Sequence, residues 1–164
     1  MARYAYLLAL GSNRRHGRHG SPRQVVAAAC DALGAAGCTV EARSPIVTTA
    51  PLGPSRRRYA NAAAVVATDM DPPALLVRIK QLEKDFGRRR NQRWGARVLD
   101  VDIILWSGGR WQSRALGVPH GAFRQRDFVL APALAIAPDW RDPVTGLSLR
   151  HLFARLTHPR PAPR

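Results

Sequence analysis

The sequence predicts an α+β fold: a ferredoxin-like β-α-β-β-α-β core, in which two helices lie on an antiparallel sheet, with additional C-terminal helices. Three observations carry that expectation. Four short apolar runs read as strands, at residues 4–10, 39–47, 59–68 and 98–106. Two segments with helical periodicity, 22–33 and 72–86, fall between the first and second runs and between the third and fourth. The total of 164 residues fits one domain, large enough to hide about two-thirds of the surface its unfolded chain exposes.

Tyr4 to Leu10 is continuously apolar, as a strand buried on both faces should be, and Gly11-Ser12-Asn13 reads as the turn that ends it. Ser21 then offers an N-cap hydroxyl, Pro22 suits the first helical position and Gln24 can complete a capping box. A helix starts there and runs through Val25 to Leu33, with Gly34 or Gly37 to stop it. Thr39 to Val47 alternates loosely, but Pro45 cannot donate to a ladder, which places this run at a sheet edge. Tyr59 to Thr68 is a stronger strand. Asp71-Pro72-Pro73 opens a second helix, whose Leu75, Leu76, Ile79, Leu82 and Phe86 repeat at helical spacing ahead of Gly87. Val98 to Trp106 is apolar except for Asp100 and Asp102. Beyond it, 128–136 and 149–156 read as helices separated by the turn Asp142-Pro143-Val144-Thr145-Gly146. A single domain is expected over residues 1–156, with 157–164 a flexible, proline-rich basic tail.

Lysines and arginines number 26 against 11 acids, a formal charge of +15, and only Lys80 and Lys84 are lysines. That balance suits an anionic partner: nucleic acid, an acidic membrane surface and a polyphosphate all qualify, and a generally arginine-rich surface accounts for it equally well. Cys30 and Cys38 are too few for a disulfide framework and have no companions at zinc-ligand spacing, so free thiols are expected. No stretch approaches the ~18 apolar residues of a membrane span, and no signal-peptide core follows Met1, so a soluble, cytoplasmic protein is expected.

Alternate residues of a strand share a face, so Asp100 and Asp102 present two carboxylates roughly 7 Å apart on a segment suited to burial. Two such charges need cations, and Mg²⁺ accepts a few carboxylates together with water and phosphate oxygens. Just upstream, residues 87–97 carry five arginines in a glycine-bearing connection. Guanidinium groups bind phosphate bidentately and remain charged. Carboxylates and arginines together suggest polyphosphate chemistry; a basic RNA-binding loop with Trp94 as stacking platform is the competing reading.

Five segments, taken in order, make the pattern specific: Leu8-Ala9-Leu10-Gly11-Ser12-Asn13, Thr49-Ala50-Pro51-Leu52-Gly53-Pro54, Tyr59-Ala60-Asn61-Ala62-Ala63, Arg93-Trp94-Gly95-Ala96-Arg97-Val98-Leu99-Asp100-Val101-Asp102 and Val118-Pro119-His120. Over residues 4–156 the chain closely resembles the 6-hydroxymethyl-7,8-dihydropterin pyrophosphokinases of folate biosynthesis. The resemblance implies transfer of the β,γ-pyrophosphoryl group of ATP to the pterin hydroxymethyl oxygen, releasing AMP. It implies two Mg²⁺ ions held by Asp100 and Asp102, phosphate contacts by the loop residues Arg88 and Arg97, and site closure by Trp94. Tyr59 and Phe128 resemble the rings that sandwich the pterin, and Thr49, Leu52 and Asn61 its hydrogen-bonding edge. Glu83, Arg90, Ile103, His120 and Arg126 resemble ATP-binding positions.

Ala115 stands where the family usually has an arginine, and Gly121-Ala122-Phe123-Arg124 replaces the usual continuation after Pro-His. An active enzyme with altered ATP contacts, acting as a monomer, is the expectation. The alternative is a basic nucleic-acid module on a ferredoxin-like sheet, disfavoured because no strand carries the aromatic pattern of RNA-binding sheets.

Overall fold

The computed structural model describes residues 3–49, 58–87, 98–159 and 161–163. Its central strand is β1 (Tyr4–Ser12), flanked by β4 (Tyr59–Thr68) on one side and β5 (Asp100–Trp106) on the other, both antiparallel. The turn expected at Gly11-Ser12 is absent. Both residues stay in the ladder, opposite Asn61 and Ala60, because β4 runs on beside them and pairs their backbone groups.

The expected edge run divides at Pro45 into β2 (Thr39–Arg43) and β3 (Val47–Thr49), each antiparallel to β4. Proline removes a donor there, and Ser44 repairs the ladder: its N–H donates to the Ala63 carbonyl at 2.9 Å, while its Oγ accepts from the Ala63 N–H at 2.9 Å. The main sheet has the order β2-β4-β1-β5, with β3 continuing the β2 flank.

Two helices cover one face. α1 (Pro22–Ala32) opens with the full capping box, Ser21 Oγ accepting from the Gln24 N–H at 3.3 Å and Gln24 Oε1 from the Ser21 N–H at 2.8 Å. Its C-cap is Leu33 rather than a glycine; Gly37, with φ +91°, shapes the exit turn instead. α2 (Pro72–Gly87) starts on Asp71, whose Oδ1 accepts from the Ala74 N–H at 3.0 Å. Val25, Val26, Ala29 and Cys30 of α1 and Leu75, Ile79, Leu82 and Phe86 of α2 bury against Tyr6, Leu8 and Leu10 of β1.

The opposite face is covered by α3 (Asp127–Ile136) and α4 (Leu149–Thr157), whose Val129, Leu130, Ala133, Leu149 and Leu152 pack on Leu7, Ala63 and Leu105. The antiparallel sheet is thus enclosed between two helix pairs. Between β5 and α3 the chain forms a ribbon of β6 (Trp111–Gln112) and β7 (Gly117–Val118), then a 3₁₀ turn at Phe123–Gln125. α4 reaches one residue into the expected tail, where the Thr157 hydroxyl donates to the Phe153 carbonyl at 2.9 Å. Cys30 and Cys38 are free and buried, and burial pushes both thiols up. Among the described residues no helix is long and apolar enough to cross a membrane.

Candidate active site

Strand register gathers the polar residues of the sequence pattern on one face of the sheet. Cross-strand partners share a face, and side chains alternate along each strand. Asn61 stands opposite Gly11, and Gly11 opposite Asp100; Ala63 stands opposite Ala9, and Ala9 opposite Asp102. On the other flank Val47 pairs with Asn61 and Thr49 with Tyr59. Thr49, Tyr59, Asn61, Asp100 and Asp102 therefore share the face turned away from α1 and α2. Two strand spacings, roughly 10 Å, separate Asn61 from Asp100. The positions between the amide and the carboxylates are glycine and alanine, so the floor there is low.

Gly11 does more than lower the floor. A Cβ at this position would lie 3.0 Å from Asn61 Oδ1, so any larger residue requires the amide to give way by a few tenths of an ångström. The sequence signal was present, a glycine inside an apolar run, but it reads equally as a turn. Asn61 is 7% exposed and its amide has no hydrogen-bond partner among the described residues. It is not a strand amide already satisfied by its neighbours. Tyr59 is 40% exposed, which removes the ordinary core role for its ring. Phe128 sits in the first turn of α3, half-buried at the margin of the cluster beneath α3 and α4, with the Arg126 guanidinium carbon 5.7 Å from its ring centre. α3 itself packs over β4 and reaches β3.

The expectation that both aspartates are buried is corrected: Asp100 is exposed and Asp102 half-buried. α3 and α4 cover the later part of β5, at Ile104 and Leu105, and the strand's first residues lie outside that packed layer. Two hard carboxylate donors beside a low floor fit Mg²⁺, which leaves most of its coordination to water and phosphate. Among the described residues no group of three or more His, Cys, Asp or Glu forms a metal cage, which an ion of this kind does not need.

β5 is the outer strand, and a bulge interrupts its pairing. Leu7 pairs with Leu105 and Leu8 with Ile103, leaving Ile104 as the additional residue. The Ile104 carbonyl accepts from the His120 N–H at 3.1 Å, and His120 Nδ1 accepts from the Ala122 N–H at 3.2 Å. His120, which follows a cis Val118–Pro119 bond, thus caps a turn and is fastened beside Ile103. Arg126 is the N-cap residue of α3. Glu83 is 9% exposed, with Lys80 Nζ 3.5 Å from its Oε1, on a helix that covers the opposite face yet packs beside β5. Leu52, Arg88, Arg90, Trp94 and Arg97 lie outside the described residues.

Sequence reading also missed the fastening of this region. Arg124 donates from Nε and a terminal nitrogen to Asp142 at 2.6 and 2.8 Å, and the Asp142 side chain is fully buried. The carboxylate further accepts from the Thr145 hydroxyl at 2.7 Å and the Val144 N–H at 3.0 Å. Burial pushes this carboxyl up, but its hydrogen bonds and the Arg124 charge prevail and hold it at about 2.

The model of the family described as 7,8-dihydro-6-hydroxymethylpterin-pyrophosphokinase matches residues 7–138. Chains of Methylorubrum extorquens and Pseudomonas aeruginosa, both named 2-amino-4-hydroxy-6-hydroxymethyldihydropteridine pyrophosphokinase, are 36% and 38% identical. These matches cover 91% of this chain and 91% of the first relative, and 90% of this chain and 88% of the second. A relative of the same name from Synechocystis sp. is 35% identical across 74% of this chain and 62% of its own length. The crystal structure of an HPPK-DHPS protein in complex with substrates has a TM-score of 0.72 at 12% identity, covering 94% of this chain and 45% of that one, a likeness of fold. The family pattern spans most of the chain, and two bacterial relatives match it over about nine-tenths of their length or more than four-fifths, so the chain belongs to the 7,8-dihydro-6-hydroxymethylpterin-pyrophosphokinase family.

Proposed function

We propose that the face carrying Thr49, Tyr59, Asn61, Asp100 and Asp102 is where this chain passes the β,γ-pyrophosphoryl group of ATP to the hydroxymethyl oxygen of 6-hydroxymethyl-7,8-dihydropterin. Pyrophosphate transfer to a hydroxymethyldihydropterin, a step of folate biosynthesis, is the activity of the family to which the chain belongs. The observation that carries the site is the register: an amide with no described partner on β4, glycine and alanine on β1, and two carboxylates on β5.

In this reading the exposed Tyr59 ring and Phe128 sandwich the flat pterin. Asn61 and Thr49, with the backbone near Leu52, supply donors and acceptors to its edge. The nucleotide is held by Glu83, Arg90, Ile103, His120 and Arg126. Because Glu83 belongs to the helix layer behind the sheet, a ligand touching both it and Asp102 wraps the outer edge of β5, where the Ile104 bulge fixes His120. Two Mg²⁺ ions held by Asp100 and Asp102 would supply charge neutralisation along the triphosphate. Arg88 and Arg97 place guanidinium groups on phosphate oxygens, and Trp94 helps exclude water as the loop closes. No side chain acts as a nucleophile. Positioning two bound substrates and complementing developing charge accounts for the rate.

The strand order β2-β4-β1-β5 with its helix pair is read as a ferredoxin-like core, the domain as residues 1–156 and the tail as 157–164. The protein acts as a cytoplasmic monomer, with no nucleic-acid partner despite its basic charge. The test is AMP formation that depends on both Mg²⁺ and the pterin alcohol. Asp102→Ala is expected to abolish turnover with an unchanged melting temperature; near-normal activity would refute the metal assignment. Arg97→Ala is expected to lower kcat more than it raises KM for the pterin, and equal effects would reduce that arginine to a binding role.

A further inference from the structure

We propose that the arginines at the open end of the β1–β4 ladder form a second anion site, separate from the catalytic face and built for a small ligand carrying a diphosphate. Asn13, Arg14, Arg15, Pro22 and Arg58 line a cavity of about 500 Å³. The register explains the gathering: β1 and β4 pair as far as Ser12 opposite Ala60, so the residues just outside each strand emerge at one end of the sheet.

Among the described residues, three arginines and no acidic residue line this space. Some arginines are paired, Arg43 with Asp31 at 2.8 Å and Arg124 with Asp142 at 2.6 Å, whereas Arg14, Arg15 and Arg58 have no side-chain hydrogen bond or ion pair with any described residue, as is also true of solvent-exposed arginines such as Arg78; what sets the three apart is their convergence on one cavity. Arg14 Nε is buried without a hydrogen-bond partner. A buried donor left without an acceptor is costly, and like charges converging on a cavity repel until an anion enters it. Guanidinium forks match phosphate oxygens two at a time, so three of them suit a group with several anionic oxygens. Shape and lining favour a small ligand over RNA. The charges gather around one open depression instead of tracking a strip, and none of the described residues that line it is aromatic, so none offers a base a ring to stack on. Arg58 immediately precedes Tyr59 of the proposed pterin pocket, while the carboxylates of β5 lie on the far side of β1 from it.

The experiment titrates inorganic pyrophosphate by calorimetry into enzyme saturated with a non-hydrolysable ATP analogue, Mg²⁺ and the pterin, after subtracting the heat of Mg²⁺ complexation. With the catalytic face filled, residual binding reports the second site. Binding is expected, weakening at least tenfold in Arg14→Gln and Arg58→Gln and unchanged in Arg78→Gln, on the exposed side of α2. A parallel titration with ADP separates two sources of the same chemistry: similar affinities identify a free diphosphate, and tighter ADP binding identifies a nucleotide tail. Should Arg14→Gln melt early, the exposed Arg15→Gln carries the test. Absence of binding to the saturated enzyme, wild-type affinity in both Arg14→Gln and Arg58→Gln, or displacement of pyrophosphate by a 20-nucleotide RNA at lower concentration overturns the proposal. AMP formation, followed in the same preparations, is expected to persist in all four variants, so loss of this site and loss of the catalytic reading are distinguishable.

Discussion

Gly11 is read by its neighbours, not by its own chemistry. With a methyl group there, the 3.0 Å approach to Asn61 Oδ1 forces the amide to turn or the strands to part by a few tenths of an ångström. The amide has no described partner to hold it, so it turns first. Gly11→Ala is therefore expected to raise KM for the pterin by about tenfold, equivalent to ~1.4 kcal/mol of lost contact, while the melting temperature moves by only a few degrees. Steady-state kinetics with the pterin varied checks this, and an unchanged KM would show that Asn61 does not touch the substrate. Residue identities on this face were legible from the ordered segments: Asn61, Tyr59, Asp100 and Asp102 all fall on it. Their adjacency was not, because which residue of β1 lies between Asn61 and Asp100 is a property of register, and no local pattern encodes it. Gly11 was misread for the same reason. Glycine marks turns when nothing else is known, and pairing with β4 overrides that local preference.

At the scale of elements, legibility followed range. Ser21, Pro22 and Gln24 are contiguous, and the capping box they form needs no knowledge of the rest of the chain. Pro45 likewise announced an edge, though the repair by Ser44 depends on Ala63, nineteen residues away. The Ile104 bulge was invisible, since it exists only in the pairing with Leu7 and Leu8. These two features have different expected costs. Ser21→Ala removes a cap at the start of α1, which packs on the face of the sheet opposite the proposed catalytic face, and should destabilise the fold by about 1 kcal/mol with kinetics intact. Ser44→Ala leaves the buried Ala63 N–H without its acceptor, at a cost of about 1–3 kcal/mol. It also loosens the junction that sets β3, and with it Thr49, against β4. Chemical denaturation should rank the two variants in that order, and only Ser44→Ala should raise KM for the pterin. A Ser44→Ala enzyme with wild-type stability would mean that water replaces the hydroxyl.

Across the whole molecule, the proposed catalytic face is shared by two parts that meet late in the chain: the sheet would supply the carboxylates and the amide, and the C-terminal layer Phe128 and Arg126. Burial of Phe123 and Leu130 holds the layers together without direction, whereas the Arg124–Asp142 pair, with the Thr145 and Val144 donors, fixes where the Pro119–Arg126 segment sits. Asp142 is held at about 2, below its ordinary 3.8, so the linkage has a definite sign. A depressed carboxylate contributes its full stability above the unfolded value, and that contribution disappears as pH falls from about 4 through about 2. Its size is on the order of 2 kcal/mol for a fully buried side chain of this kind. Asp142→Asn keeps the shape but leaves Arg124 facing a neutral amide at a site with little solvent, and removing one member of such a pair costs about 3–5 kcal/mol. The variant is expected to be less stable at pH 7 and to lose the steep acid limb between pH 4 and 2. Its KM for ATP should rise more than its KM for the pterin, because His120 and Arg126 ride on the segment that Arg124 anchors, whereas of the pterin-binding side chains only Phe128 adjoins that segment and Asn61, Tyr59 and Thr49 do not. Replacing both partners, Arg124→Met with Asp142→Leu, should recover part of the stability but not the ATP affinity, since an apolar contact lacks the directional grip of a bidentate pair. Denaturation curves across pH together with ATP-dependent kinetics decide the matter: an acid limb that survives in Asp142→Asn, or equal changes in both KM values, would show that the pair only adds stability and does not position the nucleotide-binding segment.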